Sequence, residues 1–347
     1  MNQASLPLDK PCFDWVVTQT ITAEHARAVR YEVSAQTVRM FEMRCEKHLL
    51  PFFGGMAIDA IQYPQLIRFV DELSRQQLHN ATIRQLLIAV RKVLNWALVH
   101  EHIAGLPAFP KVRSESTPRG GFTPCEMLKL WHCAKQQSTM VRPEGGYTPS
   151  HRDRQGGLFA KDMPTPVWFR WLIAFMVNSF VRPTDLRNIQ HQHVQVVRGR
   201  HTYLRLVLPE SKKHTEKIIT LRPAVRIYEQ LLAYAQAHGH AAADDYLFYP
   251  EVANRKTAMM LMDVQFRRIL EAAGLRKGAR GQNRTLYSLR HTAITFRLLY
   301  GQGIDLLTLA KNARTSVEMI EKFYASELNP EMNVAMLQSR RRVGGGA

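Results

Sequence analysis

Tyr287-Ser288-Leu289-Arg290-His291-Thr292, followed further along by Met319-Ile320-Glu321-Lys322-Phe323-Tyr324, is the stretch on which the reading of this 347-residue chain turns. Apolar residues recur at helical spacing over Leu286 to Tyr300, Leu306 to Asn312 and Val317 to Ala325, which predicts three consecutive helices. Tyr324 shares a helical face with Val317 and Ile320, so taken alone it reads as a core tyrosine. Arg290 taken alone reads as a helical salt-bridge partner. Upstream, Phe180-Val181-Arg182-Pro183-Thr184-Asp185-Leu186 follows an apolar run from Trp168 to Phe180 that predicts a buried helix. Arg182 by itself would be a surface charge or a helix-end cap. Between these two arginine boxes, Tyr203-Leu204-Arg205-Leu206-Val207-Leu208 and Ile218-Ile219-Thr220-Leu221 have strand character and flank the charged stretch Ser211 to Lys217. A small antiparallel sheet is expected there.

Working outward, helical patterns also occupy Pro223 to Ala237 and Ala258 to Ala273. Thr123 as N-cap with Pro124 at the first helical position opens a further helix, and a polar stretch rich in Gly and Pro from Ser138 to Pro166 reads as a long loop. Toward the start of the chain, helices are predicted over Thr37 to about Phe53 and Tyr63 to about Gln76. A third carries the stripe Ile83, Leu87, Val90, Leu94, Ala97 and Leu98, with Arg84, Arg91 and Lys92 off it. Pro107, Pro110, Pro118, Gly120 and Gly121 interrupt periodicity between the two regions. The expected division is an accessory segment of weak periodicity at 1–35, a helical domain at 36–106, a linker at 107–121, a mixed domain at 122–328 and a tail at 329–347. The fold class is mainly α with a small antiparallel β-sheet, in two domains.

Lys and Arg number 47 against 29 Asp and Glu, a net charge of +18. The excess is 3 before Gly121 and 15 from there on, so the later region carries the footprint of a polyanionic partner. Arg276-Lys277-Gly278-Ala279-Arg280-Gly281-Gln282-Asn283-Arg284 reads as a loop contacting phosphates. Cys12, Cys45, Cys125 and Cys133 lack metal or redox spacing, and His191 and His193 have no acidic or cysteine partner at a recognisable interval, so no metal site is expected. No run approaches the roughly 18 apolar residues of a membrane span. Reduced cysteines and a cytoplasmic, nucleoid-associated protein are the expectation.

In order and type, these boxes resemble the signature of the tyrosine recombinase, or phage integrase, family, over roughly residues 37 to 328. The resemblance implies a helical core-binding domain of SAM-like type followed by a catalytic domain, closing on duplex DNA as a C-shaped clamp. It makes Tyr324 the nucleophile, Arg182 and Arg290 the phosphate clamps, Asp185 the residue that orients them, and a hairpin lysine the general acid. Alignment on the following strand selects Lys212, with Lys213 as its rival and a DNA-contact candidate. Arg84, Arg91, Lys92, Arg276, Lys277, Arg280 and Arg284 are the other DNA-contact candidates.

A tyrosyl ester conserves phosphodiester energy, so no cofactor is implied. Two planar guanidinium forks suit the charge that accumulates on the non-bridging oxygens. Two positions depart from the family pattern. Tyr287 stands where the H-x-x-R histidine would, and Thr315, nine residues before Tyr324, replaces a histidine or tryptophan, though both keep a hydroxyl donor. His291 resembles a structural partner and is a further candidate participant. The implied activity is DNA cutting and rejoining at recombination sites by a homo-oligomer, a tetramer on DNA, through a 3′-phosphotyrosine. The alternatives are a catalytically silent DNA-binding protein and a type IB topoisomerase.

Overall fold

The computed structural model describes residues 10–113, 120–139, 164–208, 217–301 and 303–324. The chain divides into two compact units, Met1–Ser116 and Thr117–Ala347.

The first unit is helical. Its helices are α1 (Phe13–Val29), α2 (Ala35–Arg44), α3 (Leu50–Phe53), α4 (Tyr63–Arg75) and α5 (Asn80–Val99), with a π-helical turn at Cys45–Leu49 between α2 and α3. In α5, Ile83, Leu86, Leu87, Val90, Val93, Leu94 and Ala97 recur on one side and are all buried, as the stripe requires. They meet Phe41 of α2 and Leu66, Phe69 and Leu73 of α4 in one core. The phenylalanines tighten it: Phe53 lies 4.8 Å from Phe69 and 5.3 Å from Phe13, centroid to centroid.

Phe13 marks a difference from the sequence reading, which left residues 1–35 as an accessory segment. Residues 13–29 form α1, whose Phe13, Val16 and Val17 are buried in that same core. Their stripe is masked by Thr20 and Glu24, two polar residues that α1 also buries. Glu24 is tolerated inside because Lys92 of α5 and Arg27 both donate to its carboxylate, which outweighs the burial penalty and leaves its pKa lowered.

The second unit contains α6 (Pro124–Thr139), α7 (Phe169–Ser179), α8 (Pro183–Leu186), α9 (Pro223–Ala237), α10 (Arg255–Ala272), α11 (Leu286–Tyr300), α12 (Leu306–Asn312) and α13 (Val317–Tyr324). Its sheet joins β1 (Val194–Val197), β2 (Tyr203–Leu206) and β3 (Ile218–Ile219) in the order β1-β2-β3, antiparallel throughout. Val194 faces Leu206, and Leu206 faces Ile218. Leu204, Leu206 and Ile218 are fully buried. The chemistry of the caps follows the sequence: Thr123 Oγ1 accepts from the Glu126 N–H at 3.2 Å while Glu126 Oε2 accepts from the Thr123 N–H at 2.9 Å, a reciprocal box opening α6. Asp305 Oδ1 likewise accepts from the Thr308 N–H at 2.8 Å and starts α12.

At the centre of this unit lies α7, whose Phe169, Leu172, Ile173, Phe175 and Met176 are all fully buried. Apolar on nearly all sides, it can exist only with neighbours on several faces, and α6, α9 and α11 supply them. Helix α10 begins at Arg255, earlier than the periodicity suggested, because Asn254 Oδ1 accepts from the Lys256 N–H at 3.0 Å.

Candidate active site

Apart from Thr315, which lies in the turn between α12 and α13, the candidate catalytic groups within the described residues hang from a helix end or from α11. Helix α7 stops at Ser179, and Phe180 adopts a left-handed conformation at φ +58° with its ring buried. Such a conformation costs a phenylalanine about 1–2 kcal/mol, and the packed ring holds it in place. The turn aims the Phe180 carbonyl at Arg290, whose Nη1 donates to it. Two residues on, Arg182 is the N-cap of α8, and Asp185 Oδ2 accepts from its backbone N–H at 2.7 Å. Asp185 therefore holds the main chain of Arg182 at the start of α8.

Arg290 is 2% exposed, almost as deeply buried as its neighbour Arg314. Its Nη2 donates to the Ala313 carbonyl, and Arg182 Nη2 donates to the adjacent Arg314 carbonyl. Consecutive carbonyls of one turn thus hold both guanidinium groups. Arg314 makes this possible by adopting φ +51°. Burial lowers the Arg290 pKa, the like charge of Arg182 lowers it further, and Tyr287, Tyr324 and Asp185 oppose them. Arginine stays charged regardless. Two cations held together under desolvation favour an anion between them.

Tyr324 closes α13 and is 5% exposed. The His291 ring lies 4.7 Å from it at an interplanar angle of 33°, and the Tyr287 ring lies 5.3 Å from the same histidine. Positions 287 and 291 are one helical turn apart on α11, which is why both rings reach the same place. Burial pushes the Tyr324 hydroxyl up to about 12, with Arg290 and Arg182 pulling it down and Tyr287 pushing it up. At neutral pH the group is a phenol.

The remaining candidates separate. Lys212 and Lys213 lie outside the described residues. Thr315 is half-buried directly after Arg314, its N–H donating to the Ala310 carbonyl at 2.9 Å. Arg84 and Arg91, seven residues apart, lie exposed along α5, with Arg91 also stacked over Phe109 at 4.2 Å. Lys277 and Arg280 are exposed, whereas Arg276 is half-buried and donates to the Arg284 carbonyl.

Two of the DNA-contact candidates are engaged within the fold. Lys92 is tied to buried Glu24 and covers the Phe41 ring at 4.9 Å, so its charge is spent inside the first unit. Arg284 is 4% exposed, ion-paired to Glu126 at 2.8 Å and laid over Phe122 at 4.6 Å. It ties α6 to the start of α11 and is not a surface cation. Sequence reasoning passed over Arg314 and Asn312 entirely, and no periodicity marks either one. Among the described residues no group of His, Cys, Asp and Glu is arranged to hold a metal ion, and no helix is long and apolar enough to cross a membrane.

The model of the phage integrase family matches residues 158–327, and that of the phage integrase N-terminal SAM-like domain matches residues 28–101. The chain belongs to the phage integrase family, the tyrosine recombinases. This family member has the fold of solved integrases. A lambda integrase dimer bound to a COC′ core site is 15% identical at a TM-score of 0.64, covering 89% of this chain and 94% of that one. A lambda integrase tetramer bound to a Holliday junction is 14% identical at 0.63, covering 91% and 78%. The Tn1549 transposon integrase in complex with transposon right end DNA is 13% identical at 0.63, covering 94% and 99%. No curated protein matches the sequence.

Proposed function

We propose that this integrase-family protein is a site-specific DNA recombinase that cuts and rejoins duplex DNA through a 3′-phosphotyrosine on Tyr324. The observation that carries the reading is the meeting of Arg182, of Arg290 and His291, and of Tyr324 from three separate stretches of chain. Arg182 and Arg290 receive the scissile phosphate. Each guanidinium has five N–H donors, and the carbonyl bonds use one of Arg182 and two of Arg290. The charge that builds on the non-bridging oxygens during in-line attack falls on donors already held in position, so no reorganisation cost is met at the moment of reaction.

Tyr324 attacks phosphorus as its proton leaves, and His291 is the group whose ring contacts it. That role compensates for Tyr287, which occupies the place of the H-x-x-R histidine and contributes a hydrogen-bond donor. The 5′ oxygen departs with a proton from the hairpin lysine, Lys212 in this reading, and the reverse attack by a 5′ hydroxyl restores the phosphodiester. The solved relatives bound to core-site and Holliday-junction DNA as dimers and tetramers support duplex DNA as substrate and a DNA-bound homo-oligomer as the working form.

The test uses nicked suicide duplexes built from sequences flanking the gene, incubated with wild type and Tyr324→Phe and resolved on denaturing gels. A covalent adduct with wild type that is absent from the variant is expected. Specific binding with no adduct would replace this reading by the silent DNA-binding one, which Tyr287 and Thr315 motivate. Relaxation of supercoils by a monomer, without exchange between paired sites, would point to a type IB topoisomerase.

A further inference from the structure

β3 is one of the two edge strands of the sheet, and among the described residues the Asn312 side chain bonds to its outer side. Ile219 N–H donates to Asn312 Oδ1 at 2.8 Å, and Asn312 Nδ2 donates to the Ile219 carbonyl at 2.9 Å. Both backbone groups of Ile219 therefore point away from β2, where its partner across the ladder is Arg205. A carboxamide offers one acceptor and one donor side by side, as the backbone of a further strand would. Asn312 thus satisfies an edge residue that would otherwise stand open. Aspartate offers two acceptors and leucine neither kind of group.

The two residues after Asn312 are the ones whose carbonyls receive the guanidinium groups: Ala313 from Arg290 and Arg314 from Arg182. Asn312 ends α12, and the turn that follows passes through the left-handed Arg314 before α13 and Tyr324. Two residues past this edge strand the chain is fixed again, where the Leu221 N–H donates to the Asn178 carbonyl near the end of α7. From that end the chain runs through Phe180, the other carbonyl partner of Arg290. The segment from β3 to Leu221 therefore braces both of the turns that hold the arginines.

We infer that Asn312 is a positioning residue for the reaction, its carboxamide locking the α12–α13 turn to β3 so that Arg182 and Arg290 converge on one phosphate. The inference rests on the reading of those arginines as phosphate clamps. Misplacing a clamp by about 1 Å can cost on the order of 10²-fold in rate while leaving ground-state binding almost untouched.

The experiment compares full-length wild type with Asn312→Leu and Asn312→Asp. It follows adduct formation on a suicide duplex at saturating protein, site affinity by mobility shift, and amide hydrogen exchange over residues 178–183 and 311–316. Cleavage is expected to fall about 10²-fold in Asn312→Leu, with affinity held within about threefold because phosphate contacts elsewhere dominate it. Exchange should quicken in both segments. Asn312→Asp, which keeps the acceptor and sets an oxygen against the Ile219 carbonyl, should fall at least as far. Cleavage within about threefold of wild type in both variants, or affinity lost in parallel with rate, would overturn the inference. If wild type forms no adduct, the recombinase reading fails by itself, and unchanged exchange at 178–183 in Asn312→Leu would then refute the brace independently.

Discussion

His291→Phe should slow cleavage most near neutral pH and progressively less as the pH rises. Phenylalanine keeps a ring beside Tyr324 and Tyr287, 4.7 and 5.3 Å away in the present geometry, and removes the nitrogens. With the Tyr324 hydroxyl pushed up to about 12 by burial, roughly one molecule in 10⁵ carries the phenolate at pH 7 and one in 10³ at pH 9. If His291 accepts the proton during attack, wild type has no need of that minor population, and its rate is flat above the imidazole titration. The variant must draw on it. Loss of a general base costs about 10²–10⁴-fold, and the deficit should shrink tenfold for each pH unit gained, about 10²-fold between pH 7 and 9. Single-turnover adduct formation on suicide duplexes measures both profiles. Parallel profiles, each rising tenfold per unit, would mean that both enzymes attack through pre-formed phenolate, and His291 would lose its role.

Phe13→Ala should destabilise the first unit by about 3–5 kcal/mol, the usual cost of emptying a buried phenylalanine site; a denaturant midpoint unchanged from wild type would return α1 to the status of an accessory segment. Arg84→Ala and Arg91→Ala should each reduce the slope of log affinity against log salt by about 1, whereas Lys92→Met should lower stability and leave that slope alone, because its ammonium is engaged by Glu24. Burial lowers the pKa of His191, whose Nδ1 is 3.2 Å from the Tyr228 hydroxyl, and that of half-buried His193. Their folded values lie below the unfolded one, so the unfolded chain binds protons first and stability is lost as pH falls below about 6.5. Urea midpoints at pH 7.5 and 5.0 measure it, and a His191→Phe chain should show a shallower fall; an equal fall would remove His191 from the explanation.

The helices were legible because their signals are local. The α5 stripe, the Thr123-Pro124 start and the periodicity of α11 need no tertiary partner to be recognised, and neither does the order of Arg182, Arg290 and Tyr324 along the chain. α1 was not legible, because Thr20 and Glu24 interrupt its stripe and become acceptable only when Lys92, 68 residues away, supplies a charge. Arg284 misled for the converse reason. In a run of basic residues it looks solvated, and only the approach of Glu126 and Phe122 shows it buried.

What the sequence by itself determined is the two-part helical plan with its small sheet, the family, and the residue types available for phosphoryl chemistry, since periodicity, capping and motif order are written along the chain. Which groups meet was decided by tertiary structure alone. The left-handed turns at Phe180 and Arg314 aim carbonyls at the arginines, Asn312 fastens one of those turns to β3, and the His291 ring lies tilted against Tyr324. Each of these depends on contacts between residues distant in sequence, and on backbone conformations that a side chain adopts only when packing around it leaves no cheaper choice.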